Sequence, residues 1–431
     1  MKIPVSAQKF QYISDDSREI DSDGAFLLTH HSSSFLEEAK KKGCQVFLTP
    51  LELQQYLDVN MPIIGITGTN GKTTTAAAIY TILIELGFRV ALLGTRGFFV
   101  NLQQIKEKSL TTPMLLELYS HIAFAKKEKC NFFVMEVSSH AIVQQRIDGL
   151  EFALKILTNI TSDHLDFHKN LEHYVATKNA FFSDDSPKLI NSDEQKAVYQ
   201  SMQSRTYGIE SNATYRACAY SLKDGISAQI QYGHKSYSLF SVLHGRHNLY
   251  NLLAAVSAVH ILTQKPLEQI LETFEVFGGV CGRMECVSQK PLVIVDFAHT
   301  EDGMRQVFES FLHQKIVVIF GAGGDRDPSK RPRMGAVAER YATKIYLTSD
   351  NPRSEDPQKI IQDILSGIHN ISKCNIEPNR PLAIKKALEN LCDDEVLLIL
   401  GKGDEEYQLV GEQKIPMNDA ILVKKYLSSQ G

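Results

Sequence analysis

The chain has 431 residues, with 46 Lys+Arg against 50 Asp+Glu, a formal net charge of −4, 43% hydrophobic and 22% charged residues. At roughly 150 residues per domain this suggests about three domains, and the acidic balance excludes a nucleic-acid coat or a polybasic membrane binder, so an anionic ligand must be met by local cations. No apolar run of about 18 residues is present to insert into a membrane, and the N-terminus turns polar before a signal-peptide core could form, so a cytoplasmic protein is expected.

Residues 1–60 carry weak alternating patterns that end in the polar, helix-like LELQQYLDVN, and predict a small αβ unit. The apolar run MPIIGIT (61–67), stopped by glycine, predicts a buried strand. Ala76, Ala77, Ile79, Tyr80, Leu83 and Leu86 then recur at helical spacing from Lys72 onward. The rhythm repeats: RVALLGT as a strand, a helix over 113–129, NFFVMEVSS and FALKILTNI as strands, a helix over 171–182. Strands alternating with helices imply a parallel sheet covered on both faces. Over 205–243 the short alternating segments SAQIQY and SYSLFSV predict an antiparallel appendage. A helix over 247–264 follows, and a second αβ series begins near 284. Its strands are LVIVDFA, KIVVIFG, KIYLTS and EVLLILG, separated by helices over 301–313, 331–343, 357–368 and 380–392. The fold class is α/β, divided as 1–60, 61–283 and 284–431, the last part Rossmann-like. The seven scattered cysteines form no C-x-x-C pair and read as buried or idle thiols.

Gly68-Thr69-Asn70-Gly71-Lys72-Thr73-Thr74 lies between a predicted strand and a predicted helix, the context that makes a glycine motif a phosphate site. Glycines let successive N–H groups face one anion, and the helix N-terminus adds partial positive charge. Lys72 can neutralise the β and γ phosphates of ATP, and Thr73 can hold Mg²⁺. The strict G-x-x-x-x-G-K-[ST] pattern would need glycine where Ile66 stands, so the loop is a variant. Glu136 and His164 end the next predicted strands. Ligands collect at the carboxyl ends of strands in open α/β sheets, so these three strand ends converge, and a carboxylate and an imidazole beside ATP phosphates suit Mg²⁺.

GTNGKTT, MEVSSHA, TNITSDHLDFH, HNLYN, GRME, VDFAHT, GAGGDRDPSKRP and SDNPR occur in this order. Together they resemble the Mur ligases of peptidoglycan synthesis, and within them the diaminopimelate-adding branch, strongly over about 61–410 and weakly over 1–60. The resemblance implies a UDP-binding N-terminal domain, a central ATPase-type domain and a C-terminal Rossmann-like domain. It implies that ATP activates the D-glutamyl γ-carboxylate of UDP-MurNAc-L-Ala-D-Glu as an acyl phosphate, which the amine of meso-diaminopimelate attacks. Lys72 and Thr73 would bind phosphate and Mg²⁺, with Glu136 and His164 serving the metals. Lys178, which from its residue type alone is a helix-surface lysine, matches the family lysine that is carbamylated and so becomes an anionic metal ligand. Asn248 matches a position near adenine; Arg283, Asp296 and His299 match positions completing the ATP site.

Ser17, in Asp16-Ser17-Arg18, matches the uridine signature, and Thr111, Thr112, Ser138, Gln144 and Arg146 match residues holding the muramoyl-dipeptide. Asp350-Asn351-Pro352-Arg353 and Arg326 match the diaminopimelate-selective segment; the planar fork of arginine suits the extra carboxylate that distinguishes this substrate from lysine. Arg326, Lys330, Arg331 and Arg333 read alternatively as a solvated basic turn. Gly401 and Glu405 match contacts to the distal amine, whereas Asp404 stands where the family usually has histidine. A monomer is expected. Rival readings are a ligase for lysine, a folylpolyglutamate-type ligase, and a non-catalytic nucleotide-binding regulator. Arg353 argues against the first, the DNPR segment against the second, and the retained Lys72, Glu136, His164 and Lys178 against the third.

Overall fold

A computed structural model describes residues 1–107, 110–223 and 225–429. Strands β1 (Lys2–Pro4), β2 (Tyr12–Ser14), β3 (Gly24–Leu27) and β4 (Val46–Leu48) form a small sheet in that order, the first pair antiparallel and the rest parallel. Helix α1 (Leu36–Lys41) precedes β4, and α2 (Pro50–Leu53) follows it. Thr49 and Glu52 cap α2 reciprocally, with Pro50 in the first turn. The helix expected to run on toward residue 60 stops after one turn. The chain leaves the helical path there, and Leu57, Val59 and Met61 enter the same core as Ile63.

The central part runs β5 (Ile63–Thr67), α3 (Lys72–Glu85), β6 (Val90–Gly94), β7 (Gly97–Val100), β8 (Gln103–Lys106), α4 (Leu115–Lys127), β9 (Phe132–Glu136), α5 (Ser139–Val143) and β10 (Leu154–Leu157). It continues through α6 (Leu165–His168), α7 (Leu171–Ala180), β11 (Lys188–Asn191), β12 (Ser204–Gly208), β13 (Tyr215–Ser221), β14 (Ile226–Tyr232), β15 (Lys235–Ser241), α8 (Arg246–Thr263) and α9 (Leu267–Glu272). All its strands join one sheet in the order β15-β14-β13-β12-β11-β10-β5-β9-β6-β7-β8. The stretch 205–243 is therefore no separate appendage. β11, β12 and β13 extend the parallel sheet, and at this end β14 and β15, which hold SAQIQY and most of SYSLFSV, turn antiparallel, as β7 and β8 do at the other end. Ile226, Ala228 and Ile230 on β14 face inward, because α8 and α9 cover that end of the sheet in one core with α3. α3 is apolar nearly all round and is correspondingly buried.

The last part holds β16 (Glu285–Gln289), β17 (Leu292–Asp296), α10 (Glu301–Glu309), β18 (Lys315–Phe320), α11 (Lys330–Tyr341), β19 (Ala342–Leu347) and α12 (Pro357–Leu365). It continues with β20 (Cys374–Ile376), α13 (Arg380–Glu389), β21 (Glu395–Leu400), β22 (Tyr407–Val410), β23 (Gln413–Pro416) and α14 (Asp419–Ser428). Its sheet has the order β16-β17-β21-β18-β19-β20, parallel except at β16. Separate apolar cores lie on its two faces, as a parallel sheet flanked by helices requires.

Candidate functional site

The loop between β5 and α3 is shaped by two glycines. Gly68 has φ of 152° and Gly71 of 85°. A Cβ on Gly68 would lie 1.8 Å from Thr158 Oγ1, and one on Gly71 would lie 2.2 Å from Asn251 Oδ1. The end of β10 clamps the loop. Asn70 N–H donates to Asn159 Oδ1 at 2.9 Å, while Asn159 Nδ2 and Thr158 Oγ1 donate to Asn70 O at 3.0 and 2.6 Å. Lys72 Nζ folds back to donate to Gly68 O at 2.8 Å and Thr69 O at 2.9 Å. Lys178 Nζ, from α7, donates to the same Gly68 O at 2.9 Å. Lys178 is 1% exposed. Burial, and then the Lys72 charge, push its amine well below the usual lysine range. Burial also lowers the Lys72 amine, against the opposing pull of Glu136.

Glu136, at the end of β9, is buried and aimed at the loop. Thr95 N–H donates to its Oε1 at 2.9 Å; Thr73 and Thr95 hydroxyls donate to its Oε2 at 3.0 and 3.1 Å. His164 takes a left-handed conformation before α6, with Nε2 3.4 Å from Asp163 Oδ2 and its ring edge-on to His140. Burial works to raise the Asp163 carboxyl, but His164 and His299 hold it below the ordinary value. Among the described residues no group of three or more His, Cys, Asp or Glu side chains could hold a metal on its own. The Thr73 hydroxyl and the Glu136 carboxylate are hard oxygen donors side by side, and they fit Mg²⁺, which keeps waters and takes further ligands from phosphate.

A cavity of about 720 Å³ opens between the carboxyl ends of the central and C-terminal sheets. Residues 69–74 of the loop, Thr111, Glu136, His164 and Asn248 line one side; Arg283, Asp296, His299, Arg326, Asp350, Asn351, Arg353, Gly401 and Glu405 line the other. Asn248 Nδ2 donates to His244 O at 2.9 Å, and Asn251 Nδ2 to Asn248 Oδ1 at 3.1 Å. The Arg283 guanidinium lies 4.2 Å from the Phe297 ring centre. Asp296 accepts from the Met284 and Ala298 N–H groups, both at 2.7 Å, while burial raises its carboxyl. Burial, then Lys330, lowers the His299 imidazole. Asn70 Nδ2 donates to Asp302 Oδ2 across the cavity at 3.3 Å.

On the C-terminal wall, Arg353 has φ of 51°. Its N–H donates to Leu409 O at 3.1 Å and its Nη1 to Gly324 O at 2.6 Å. Arg326 Nη1 donates to Asp325 O at 3.2 Å. Gly401 has φ of 111°, and a Cβ there would lie 2.5 Å from Asp350 Oδ2. Asn351 Nδ2 donates to Glu405 Oε2 at 2.8 Å. Pro352 is not in the cavity wall; its carbonyl backs Gly324. Arg331 is buried and paired with Glu355 and Asp363 at 2.8 Å each, so it belongs to no solvated turn. Asp404 presents its backbone to Gly282.

The residues expected around the muramoyl-dipeptide form one network. Thr112 Oγ1 donates to Glu136 O at 2.9 Å and accepts from Ser138 N–H at 3.0 Å. Arg146 Nη1 donates to Thr112 O at 2.7 Å and Nε to Gln144 Oε1 at 2.9 Å. Ser138 Oγ caps α5. Of this set only Thr111 reaches the cavity, through Thr95 Oγ1 at 3.2 Å. Ser17 lies apart in the turn between β2 and β3, donating to Glu38 Oε2 at 2.9 Å. Sequence reasoning missed Thr95, Asn159 and Lys402, although each follows a strand end, which was the available signal.

Two family models match the chain: the Mur ligase middle domain over residues 66–259 and the Mur ligase glutamate ligase domain over residues 282–403. The UDP-N-acetylmuramoyl-L-alanyl-D-glutamate–2,6-diaminopimelate ligase of Wolinella succinogenes is 62% identical over 419 residues, 97% of this chain and 96% of the relative. The enzyme of the same name from Helicobacter pylori is 53% identical over 428 residues, with shares of 97% and 96%. A solved structure of a ligase with that name superposes with TM-score 0.68 at 28% identity, covering 99% of this chain and 97% of its own. A folylpolyglutamate synthase from Mycobacterium tuberculosis shares the fold alone, with TM-score 0.65 at 17% identity over 82% of this chain and 91% of its own. With its phosphate loop, threonine-bound glutamate and paired strand ends in the places those matches span, the chain belongs to the Mur ligase family.

Proposed function

We propose that the chain is the ATP-dependent ligase that joins meso-2,6-diaminopimelate to the D-glutamyl γ-carboxylate of UDP-MurNAc-L-Ala-D-Glu, building peptidoglycan precursor. The observation that carries this reading is a single cavity with a phosphate loop on one wall and Arg326, Arg353 and Glu405 on the other. The γ-carboxylate oxygen attacks the γ-phosphorus of ATP and ADP leaves. The amine of diaminopimelate attacks the acyl phosphate, loses a proton and expels phosphate. A carboxylate is a poor electrophile, and phosphorylation supplies the leaving group; the residues contribute mainly position and charge.

Residues 68–74 cradle the phosphates, with the Lys72 ammonium as counter-charge, while Asn248, Arg283, Asp296 and His299 complete the nucleotide site. Thr73, Glu136 and His164 hold Mg²⁺, which when bound offsets the charge of the moving phosphoryl group. Lys178 is the lysine that takes up CO₂: its neutral amine attacks the carbon and releases a proton, leaving a carbamate as a further metal ligand. Its lowered pKa supports this, because only the neutral amine is nucleophilic. Thr111, Thr112, Ser138, Gln144 and Arg146 hold the muramoyl-dipeptide, and Ser17 belongs to the uridine site. Arg326, Arg353, Asp350, Asn351, Gly401 and Glu405 form the diaminopimelate wall, and Pro352 backs it through Gly324. The division at residues 60 and 283 is part of the same reading, supported by the separation of the four-, eleven- and six-stranded sheets. The reaction is assigned to the cytoplasm and to a monomer; among the described residues no helix is long and apolar enough to cross a membrane.

The test is phosphate release with all three substrates. Lys178→Ala is expected to lose at least ~100-fold in rate and to regain part of it with added short carboxylates. Full activity of that variant would overturn the carbamate.

A further inference from the structure

Lys402 is 0% exposed and absent from the cavity wall, yet two of its partners line that wall. Its ammonium has three donors, and three acceptors meet them: Asn351 Oδ1 at 3.1 Å, Glu405 Oε2 at 2.7 Å and Tyr407 O at 2.8 Å. Asn351 Oδ1 also accepts from the Leu409 N–H at 2.8 Å. An ammonium and a backbone N–H can only donate. The asparagine atom between them must therefore be the oxygen, which settles the orientation of an amide that is otherwise free to flip. Its NH₂ edge is left to face Glu405 and the cavity. Glu405 in turn accepts from both Lys402 and Asn351.

We propose that Lys402 is a positioning residue for amino-acid recognition: it fixes Asn351 as a hydrogen-bond donor and Glu405 as an acceptor toward the cavity, so that the pair reads a group bearing both a carboxylate and an ammonium. The distal end of diaminopimelate is such a zwitterion, so the inference rests on the proposed function and adds a residue to it. Asn351 meets the carboxylate together with the arginines, and Glu405 meets the ammonium. Without Lys402 the Asn351 oxygen keeps only the Leu409 N–H as a donor, so the amide is held less firmly against turning its oxygen toward the ligand, and Glu405 loses its internal cation. A donor exchanged for an acceptor opposite a carboxylate discriminates strongly in a desolvated site.

The experiment is steady-state kinetics of the full chain with each of the three substrates varied, for wild type and Lys402→Met. The expected result is a KM for meso-diaminopimelate raised by ~10-fold or more, with the KM values for ATP and UDP-MurNAc-L-Ala-D-Glu within about twofold of wild type. Leu409→Pro provides a second route. It deletes the other donor to Asn351 Oδ1 at a hairpin position whose N–H is directed to Asn351, and the same one-sided rise is expected. An unchanged KM for diaminopimelate in whichever of these variants folds, or an equal rise for all three substrates, overturns the role of Lys402. Wild-type chain that fails to use diaminopimelate at all would instead overturn the proposed function.

Discussion

Two ammonium groups, those of Lys72 and Lys178, converge on one carbonyl, Gly68 O. Such an arrangement is unfavourable in a chain without its anionic ligands, because burial and the like charge both oppose protonation of Lys178. Its folded pKa lies below the ordinary lysine value of 10.5. Above pH 10.5 the amine is neutral in both states and its burial carries no ionisation penalty. As pH falls, the unfolded lysine binds its proton first, and stability is lost until the folded pKa is passed. Lys178→Met is therefore expected to raise the Tm of the ligand-free chain at pH 7 by about 3 °C, a gain that shrinks toward pH 10.5. Parallel Tm profiles for the two proteins would contradict this electrostatic account. Nothing in the residue types of α7 announces such burial. Tyr174, Thr177 and Lys178 do share the spacing of one helix face, and all three are buried, but threonine and lysine there read as a polar surface. Only the resemblance to the Mur ligases singled out Lys178.

Among the elements, strands closed by glycine or by charged motifs were legible, because short apolar runs and their stops are local properties. β5, β9, β10, β17 and β21 all coincide with such runs. Strand partnership is not local. A period of two announces a strand at 226–232, but the parallel pairing of β12 and β13 depends on what α8 covers. The β22–β23 hairpin was also unforeseen, since β23 is exposed along its whole length and shows no apolar alternation. Helices α13 and α14 are joined by a pair that sequence spacing could not reveal. Arg380 Nε and Nη2 donate to the two Asp419 oxygens at 2.9 and 2.7 Å, and both side chains are 0% exposed. Removing one partner strands a buried charge at a cost of about 3–5 kcal/mol. Asp419→Ala is expected to destabilise the C-terminal part by that amount in urea unfolding, and a loss under about 1 kcal/mol would show that the pair acts like a surface bridge.

For the whole molecule, the −4 balance proves compatible with anionic substrates because the cations are local. Lys72 lies at the phosphate loop, Arg146 in the Thr112 network, and Arg326 and Arg353 on the facing wall. The three-part division could be anticipated from length and from the change of rhythm along the chain. The meeting of the parts could not: Asn70 and Asp302 are 232 residues apart, and their contact exists only once both sheets are built. The cavity between those sheets makes the central claim a claim about one amino acid. Its decisive measurement is ADP release with ATP and UDP-MurNAc-L-Ala-D-Glu, comparing meso-diaminopimelate with L-lysine as the added amine. The proposed reading of the second carboxylate by Arg326 and Arg353 predicts kcat/KM at least ~1000-fold higher for meso-diaminopimelate, whereas turnover with lysine but not with meso-diaminopimelate would contradict the account.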